Sequence, residues 1–114
     1  MKVAVIGSRG LTLDDLGQYL PTECTEIVSG GARGIDTCAR YYARSHGLAL
    51  KEFLPDYRTY GKQAPLIRNR YIVDYADLVL AFWDGSSHGT KSVIDYCKSI
   101  KKPLKIFMVK RGKI

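Results

Sequence analysis

Three short polar runs carry glycine beside groups able to hold an anion: Gly7-Ser8-Arg9-Gly10, Ser29-Gly30-Gly31-Ala32-Arg33-Gly34 and Asp84-Gly85-Ser86-Ser87-His88-Gly89-Thr90. Glycine admits turns of positive φ and lets an anion approach the backbone closely. Ser29, Ser87 and Thr90 add hydroxyl donors, and Arg9 or Arg33 can offer a charged fork to a phosphate. The second run reads Gly-Gly-x-x-Gly, so it is not the GxGxxG fingerprint, and Gly-Lys-Ser/Thr occurs nowhere in the chain. One Gly-Gly after a strand is commonly just a tight turn. Three such loops at one sheet edge point instead to a seat for the phosphate of a nucleotide or nucleotide-derived ligand.

Other side chains near these runs have two readings each. Asp36 is either a helix-start acid, favourable by about 0.3–1 kcal/mol, or a holder of a ribose hydroxyl. Asp84 is either a turn former or a ribose or base contact. Trp83, the single tryptophan, reads more readily as core or interface than as a stacking platform for a base. His88 reads as solvated loop. Tyr57, Arg58 and Tyr60 form a candidate lid.

The elements that must position these groups follow from apolar patterning. Residues 2–7 (KVAVIG), 26–29, 48–54, 77–83 (DLVLAFW) and 104–109 read as strands. Helices are expected from Thr12 to near Pro21, from Gly34 to Gly47, from Pro65 to Tyr75, and from Thr90 to Pro103. Residues 55–63 read as a loop. Strand and helix alternation predicts one α/β domain over residues 1–114, with helices on both faces of a parallel sheet. Five strands in the order 3-2-1-4-5 place the switch point between strands 1 and 4, and ligands of such sheets bind outside the carboxyl ends of the strands there. A phosphate is then expected on the helices that start near Gly34 and Thr90, with the ribose near Asp84.

The 114 residues suffice for one domain. No apolar run reaches the ~20 residues of a membrane span, and MKVAVIGSRG makes a poor signal peptide, so a cytoplasmic protein with no membrane partner is expected. Three cysteines without CxxC spacing read as small buried hydrophobes, and no metal site is expected. The net charge is +7, and seven of the 18 basic residues fall in 98–114, where no acid occurs; the other 11 basic residues balance the 11 acids. This excess reads first as a solubilising end, with a basic tail at about 110–114, and second as a weak site for nucleic acid. Tyr41, Tyr42, Tyr71 and Tyr75 read either as a homodimer face or as ordinary half-buried tyrosines.

With GSRG, SGGARGID, RNRYIV and FWDGSSHGT in that order, nearly the whole chain resembles the SLOG superfamily of Rossmann-like nucleotide-ligand domains. That superfamily includes the LOG-type phosphoribohydrolases and the DprA-type DNA-processing proteins, and the nearest likeness is to a small bacterial and phage subgroup related to YspA. The resemblance implies a three-layer α/β/α core with a ligand across the loops after strands 1, 2 and 4, with Arg68 and Asn69 reaching it from the third helix. Members that hydrolyse nucleoside monophosphates carry glutamates within a turn of their Gly-Thr. Here Gly89-Thr90 is followed by Lys91, Ser92 and Val93, and no carboxylate occurs before Asp95. Candidate catalytic groups are therefore Arg68, Asp84 and Asp95. The expected function is nucleotide binding as a sensor or processing domain. Alternatives are an N-glycosidic hydrolase or transferase, deoxyribosyltransferases having a similar sheet, and a DprA-like DNA-binding protein.

Overall fold

β1 (Lys2–Gly7) is a run of apolar residues whose middle four are buried on both faces of the sheet, the pattern of a central parallel strand. In the computed structural model, which describes residues 1–110, it is joined by β2 (Glu26–Ser29), β3 (Ala49–Glu52), β4 (Leu78–Trp83) and β5 (Leu104–Met108). The sheet is wholly parallel with the order β3-β2-β1-β4-β5. Its connections contain α1 (Ile35–Ser45), the single turn α2 (Tyr57–Tyr60), α3 (Ala64–Tyr75) and α4 (His88–Ile100).

Alternation along the strands divides the apolar side chains between two cores. Val3, Val5, Ile27, Leu80 and Phe82 pack against Ile35, Ala39 and Ala43 of α1. Ala4, Ile6, Val28 and Val79 pack against Ile72 and Val73 of α3 and Val93 and Cys97 of α4. The result is a Rossmann-like α/β/α arrangement. Because the strands are parallel, the loops after β1, β2 and β4 emerge at one rim, on the two sides of the β1–β4 junction.

Two stretches depart from the expected elements. Between Thr12 and Pro21 only a 3₁₀ turn forms, at Leu16–Tyr19, with Asp15 accepting from the Gly17 amide. Leu20 is extended, as the residue before proline prefers, so no α-helix propagates. Residues 55–63 are not a plain loop: Asp56 caps α2 by accepting from the Thr59 amide, and a 3₁₀ turn at Gly61–Gln63 leads into α3.

Gly34 shows what one of the loop glycines does. It is the N-cap of α1 at φ 72°, and a Cβ there would run into the backbone carbonyls of Arg9 and Leu11. The absence of a side chain brings the β1 loop against the start of α1. A Cβ on Gly7 would likewise overlap Ile35.

Tyr41 and Tyr42 lie on α1, and Tyr71 and Tyr75 on α3, in opposite layers of the sandwich. These four tyrosines do not form one surface. Tyr42 stacks on His46, and the Tyr75 hydroxyl donates to Glu26. Among the described residues no helix is long and apolar enough to cross a membrane. Of the basic tail, Lys110 is exposed, while Arg111 and Lys113 lie outside the described residues.

Candidate functional site

The loops after β1, β2 and β4, together with one face of α3, enclose a cavity of about 420 Å³. Of the residues expected to bind ligand, Gly7, Ser8, Arg9, Gly30, Ala32, Asp36, Arg68, Asn69, Asp84, Ser87, Gly89 and Thr90 line it. Each wall has a distinct chemistry.

The α4 wall is a helix N-terminus where only the N-cap amide, that of Ser87, is taken by a side chain among the described residues, by Asp84. Four amides at the start of a helix have no intrahelical acceptor. The N-cap residue Ser87 makes no side-chain cap to them, and the first turn contains no acidic residue. The Ser87 hydroxyl instead points along the turn to Thr90 Oγ1, 3.4 Å away. A Cβ on Gly89 would meet nothing within 4 Å, so the backbone there is open to a ligand. The helix runs 13 residues, and its dipole favours an anion at this end.

Asp84 shapes that wall. Its Oδ1 accepts from the Ser86 and Ser87 amides, at 2.9 and 2.8 Å, and from the Ser86 hydroxyl at 3.3 Å. The Trp83 indole N–H donates to the Ser87 carbonyl at 3.0 Å. Trp83 therefore braces the loop from outside the cavity lining.

The start of α1 is occupied differently. Asp36 lies in its first turn, 8% exposed, and accepts from the Ala32 amide at 3.0 Å. Burial pushes its carboxyl above the usual range; the Ala32 amide, the Arg68 charge and the Ser29 hydroxyl pull the other way, and Glu52 adds to the rise. This helix end already has a carboxylate in place.

Arg68 joins the walls. It is 7% exposed on α3, and its Nη1 donates to the Gly30 and Phe53 carbonyls while Nε donates to Asn69 Oδ1 at 2.9 Å. A Cβ on Gly30 would occupy the guanidinium's place. Burial lowers the pKa of Arg68, and Asp36 opposes the shift. On the β1 wall, Ser8 is 3% exposed and its Oγ has no partner, whereas Arg9 is exposed.

The other expected residues sit outside this lining. The Ser29 hydroxyl accepts from the Gly31 amide at 3.4 Å. Gly31, at φ 71°, turns the chain beside Leu54 and Glu52. Arg33 is exposed, Gly34 packs on the β1 loop, and Gly85 turns at φ 89° beside Met108. Asp95 is exposed and paired with Lys91 on α4, with Nζ to Oδ2 2.9 Å apart; it faces a shallow groove lined also by Arg70, His88 and Tyr96. Among the described residues no cluster of three or more His, Cys, Asp or Glu could hold a metal.

Ile6, Pro65, Ile72 and Ser86 line the cavity without having been anticipated. Pro65, Arg68, Asn69 and Ile72 follow i, i+3, i+4, i+7 spacing, so the α3 contribution was readable as one helix face once Arg68 was placed. Asp36 gives a pH signature. Its folded-state pKa is raised, so the folded protein holds this proton more tightly than the unfolded chain. Stability is lost as pH rises from the ordinary carboxyl value through the raised one, then levels. Asp36→Asn is expected to remove this loss, so that the variant gains on the parent with rising pH in urea unfolding. A constant difference across that range would show that Asp36 titrates alike in both states.

Comparison with protein-family models, with curated proteins and with solved structures finds no match.

Proposed function

We propose that the cavity binds a nucleotide or nucleotide-derived ligand through a phosphate seated on the first turn of α4, as a sensor or nucleotide-processing domain. The observation that carries this reading is the N-terminus of α4, with no side-chain cap from Ser87 and no acid in its first turn, opening on a cavity also lined by Arg9 and Arg68. Such an end supplies backbone donors and a partial positive charge together. The sequence reading has α1 and α4 share the phosphate; an acid within the first turn of α1, and none within that of α4, favours α4. Asp36, beside the same cavity, is suited to accept from a ribose hydroxyl.

The charged lining argues for few phosphates. Arg9 and Arg68 are balanced by Asp36 and Asp84, leaving no cationic excess to neutralise a triphosphate. One phosphate with hydroxyl-bearing sugar attached suits this balance. The likeness of the glycine-bearing loops to those of the SLOG superfamily points the same way.

Native mass spectrometry of the purified protein tests the reading. A co-purified mass that matches a nucleotide and dissociates on unfolding is expected. Ligand-free protein that also takes up no adenosine monophosphate, NAD or ADP-ribose at millimolar concentration would contradict it.

A second reading, cleavage or transfer at an N-glycosidic bond, is favoured by Asp36. A lining carboxyl raised by burial is a candidate acid–base group, and it stands in a cavity that Asp95 does not line. Free base released from nucleoside monophosphates, and abolished by Asp36→Asn with binding retained, would establish it. No release from any nucleotide leaves binding alone.

A further inference from the structure

The two edges of the sheet differ. β3 exposes Ala49 and Lys51 and carries charges of both signs in Lys51 and Glu52, an ordinary protected edge. β5 pairs with β4 along one edge, and one of its faces exposes Ile106 (40%) and Met108 (67%), with Ile100 (43%) at the end of the preceding α4. Ile106 and Met108 are two residues apart and share a face.

The backbone of β5 is set for pairing. The Val109 amide donates to the Trp83 carbonyl. In a parallel ladder alternate residues bond the same neighbour, so Lys105, Phe107 and Val109 turn their polar groups to β4. Those of Leu104, Ile106 and Met108 face away from it. Neither proline nor glycine interrupts residues 104–108.

Charge selects the occupant. Lys105 and Lys110 are exposed in and just after β5, Lys98 and Lys101 are exposed at the end of α4, which precedes it, and no acid follows Asp95 in the chain. A second copy of β5 would bring lysines against lysines, which disfavours self-pairing. An acidic strand would meet complementary charge. Exposed isoleucine and methionine among the lysines, beside backbone groups that no other described strand pairs, suit a peptide better than a polynucleotide.

We propose that the outer edge of β5, unpaired among the described residues, docks an extended acidic segment of a partner protein, which adds a sixth strand with apolar side chains on Ile106 and Met108 and carboxylates near the lysines. The docked strand would lie close to the ligand loop. Met108 packs beside Gly85, and β5 is bonded through Val109 to Trp83, whose indole holds Ser87. This docking requires nothing of the cavity's ligand.

An eight-residue peptide alternating valine and glutamate, labelled with fluorescein, is the probe. Titration into the full chain is expected to raise anisotropy and to shift the amide resonances of residues 104–108. Met108→Ser with Ile106→Ser should weaken binding at least tenfold, and a peptide with lysine for glutamate should not bind. Ile106→Pro, which removes one outward amide, should act likewise, with circular dichroism reporting that each variant is folded. Unmoved 104–108 resonances at millimolar peptide would overturn the proposal. So would an oligothymidylate that shifts the same resonances with equal affinity in the Met108→Ser, Ile106→Ser protein, which would assign the lysines to nucleic acid.

Discussion

Gly89→Asp is expected to abolish ligand binding while leaving the fold as stable as before, or slightly more so. Gly89 is in the first turn of α4, where no acid stands and where a Cβ enters open space. A carboxylate at that end of a helix is favourable by about 0.3–1 kcal/mol, and replacing a helical glycine removes part of its entropic cost. A bound phosphate would meet the same carboxylate as a like charge. At about 4 Å and an effective dielectric near 20 the repulsion is on the order of 4 kcal/mol, and solvent reduces it at this open site. An affinity loss of at least ~100-fold, about 2.7 kcal/mol, is therefore expected from calorimetric titration with a nucleoside monophosphate, with the melting temperature unchanged or raised. Gly89→Ala should lose far less. Equal affinity in Gly89→Asp would mean that the anion does not sit on α4.

Arg68→Met should cost stability. The side chain is buried, and it satisfies the Gly30 and Phe53 carbonyls from one nitrogen and the Asn69 side chain from another. Methionine fills much of the space but donates nothing. It also leaves the Asp36 carboxylate without the cation that opposes its desolvation. Leaving a buried acceptor without its donor costs about 1–3 kcal/mol, and about 3 kcal/mol in all is expected from urea unfolding. The deficit depends on pH. Without Arg68 the Asp36 pKa rises further, so the variant should recover part of its deficit as pH falls and the carboxyl protonates. Arg68→Lys keeps the charge but not the fork, and should fall between. A change below about 1 kcal/mol in Arg68→Met would show that these contacts are dispensable.

The sheet was legible because buried parallel strands are nearly continuous apolar runs, as in Val3–Ile6 and Leu78–Phe82. Its order is the one expected of alternating strands and helices when the chain starts in the middle of the sheet and winds out both ways. The helix expected from Thr12 was not legible as a lone 3₁₀ turn. Asp15 there serves only as the cap of that turn, and Leu20, before Pro21, is extended.

At the site, residue types pointed to the right loops but not to the division of labour within them. Gly34 and Gly7 looked like anion-binding glycines, yet their missing side chains are explained by the approach of the β1 loop and of Ile35. That approach joins segments more than 20 residues apart in sequence, which no local pattern encodes. Asp36 could be placed at a helix start, but not judged buried and opposite Arg68. The Arg68 contacts with Gly30 and Phe53 cross 38 and 15 residues, so its role in holding the β2 loop was invisible from spacing on α3. Asp95 could be placed on α4; its pairing with Lys91, away from the cavity, needed the helix face.

The most direct test is an amide chemical-shift titration of the full chain with adenosine monophosphate, alongside adenosine. The account predicts that the monophosphate moves His88, Gly89 and Thr90 most, with Ser8 and Arg9 following and Gly31 and Gly34 nearly still, while adenosine leaves residues 88–90 in place. Shifts centred on residues 31–36, or equal effects of the two compounds at residues 88–90, would contradict a phosphate seat on α4.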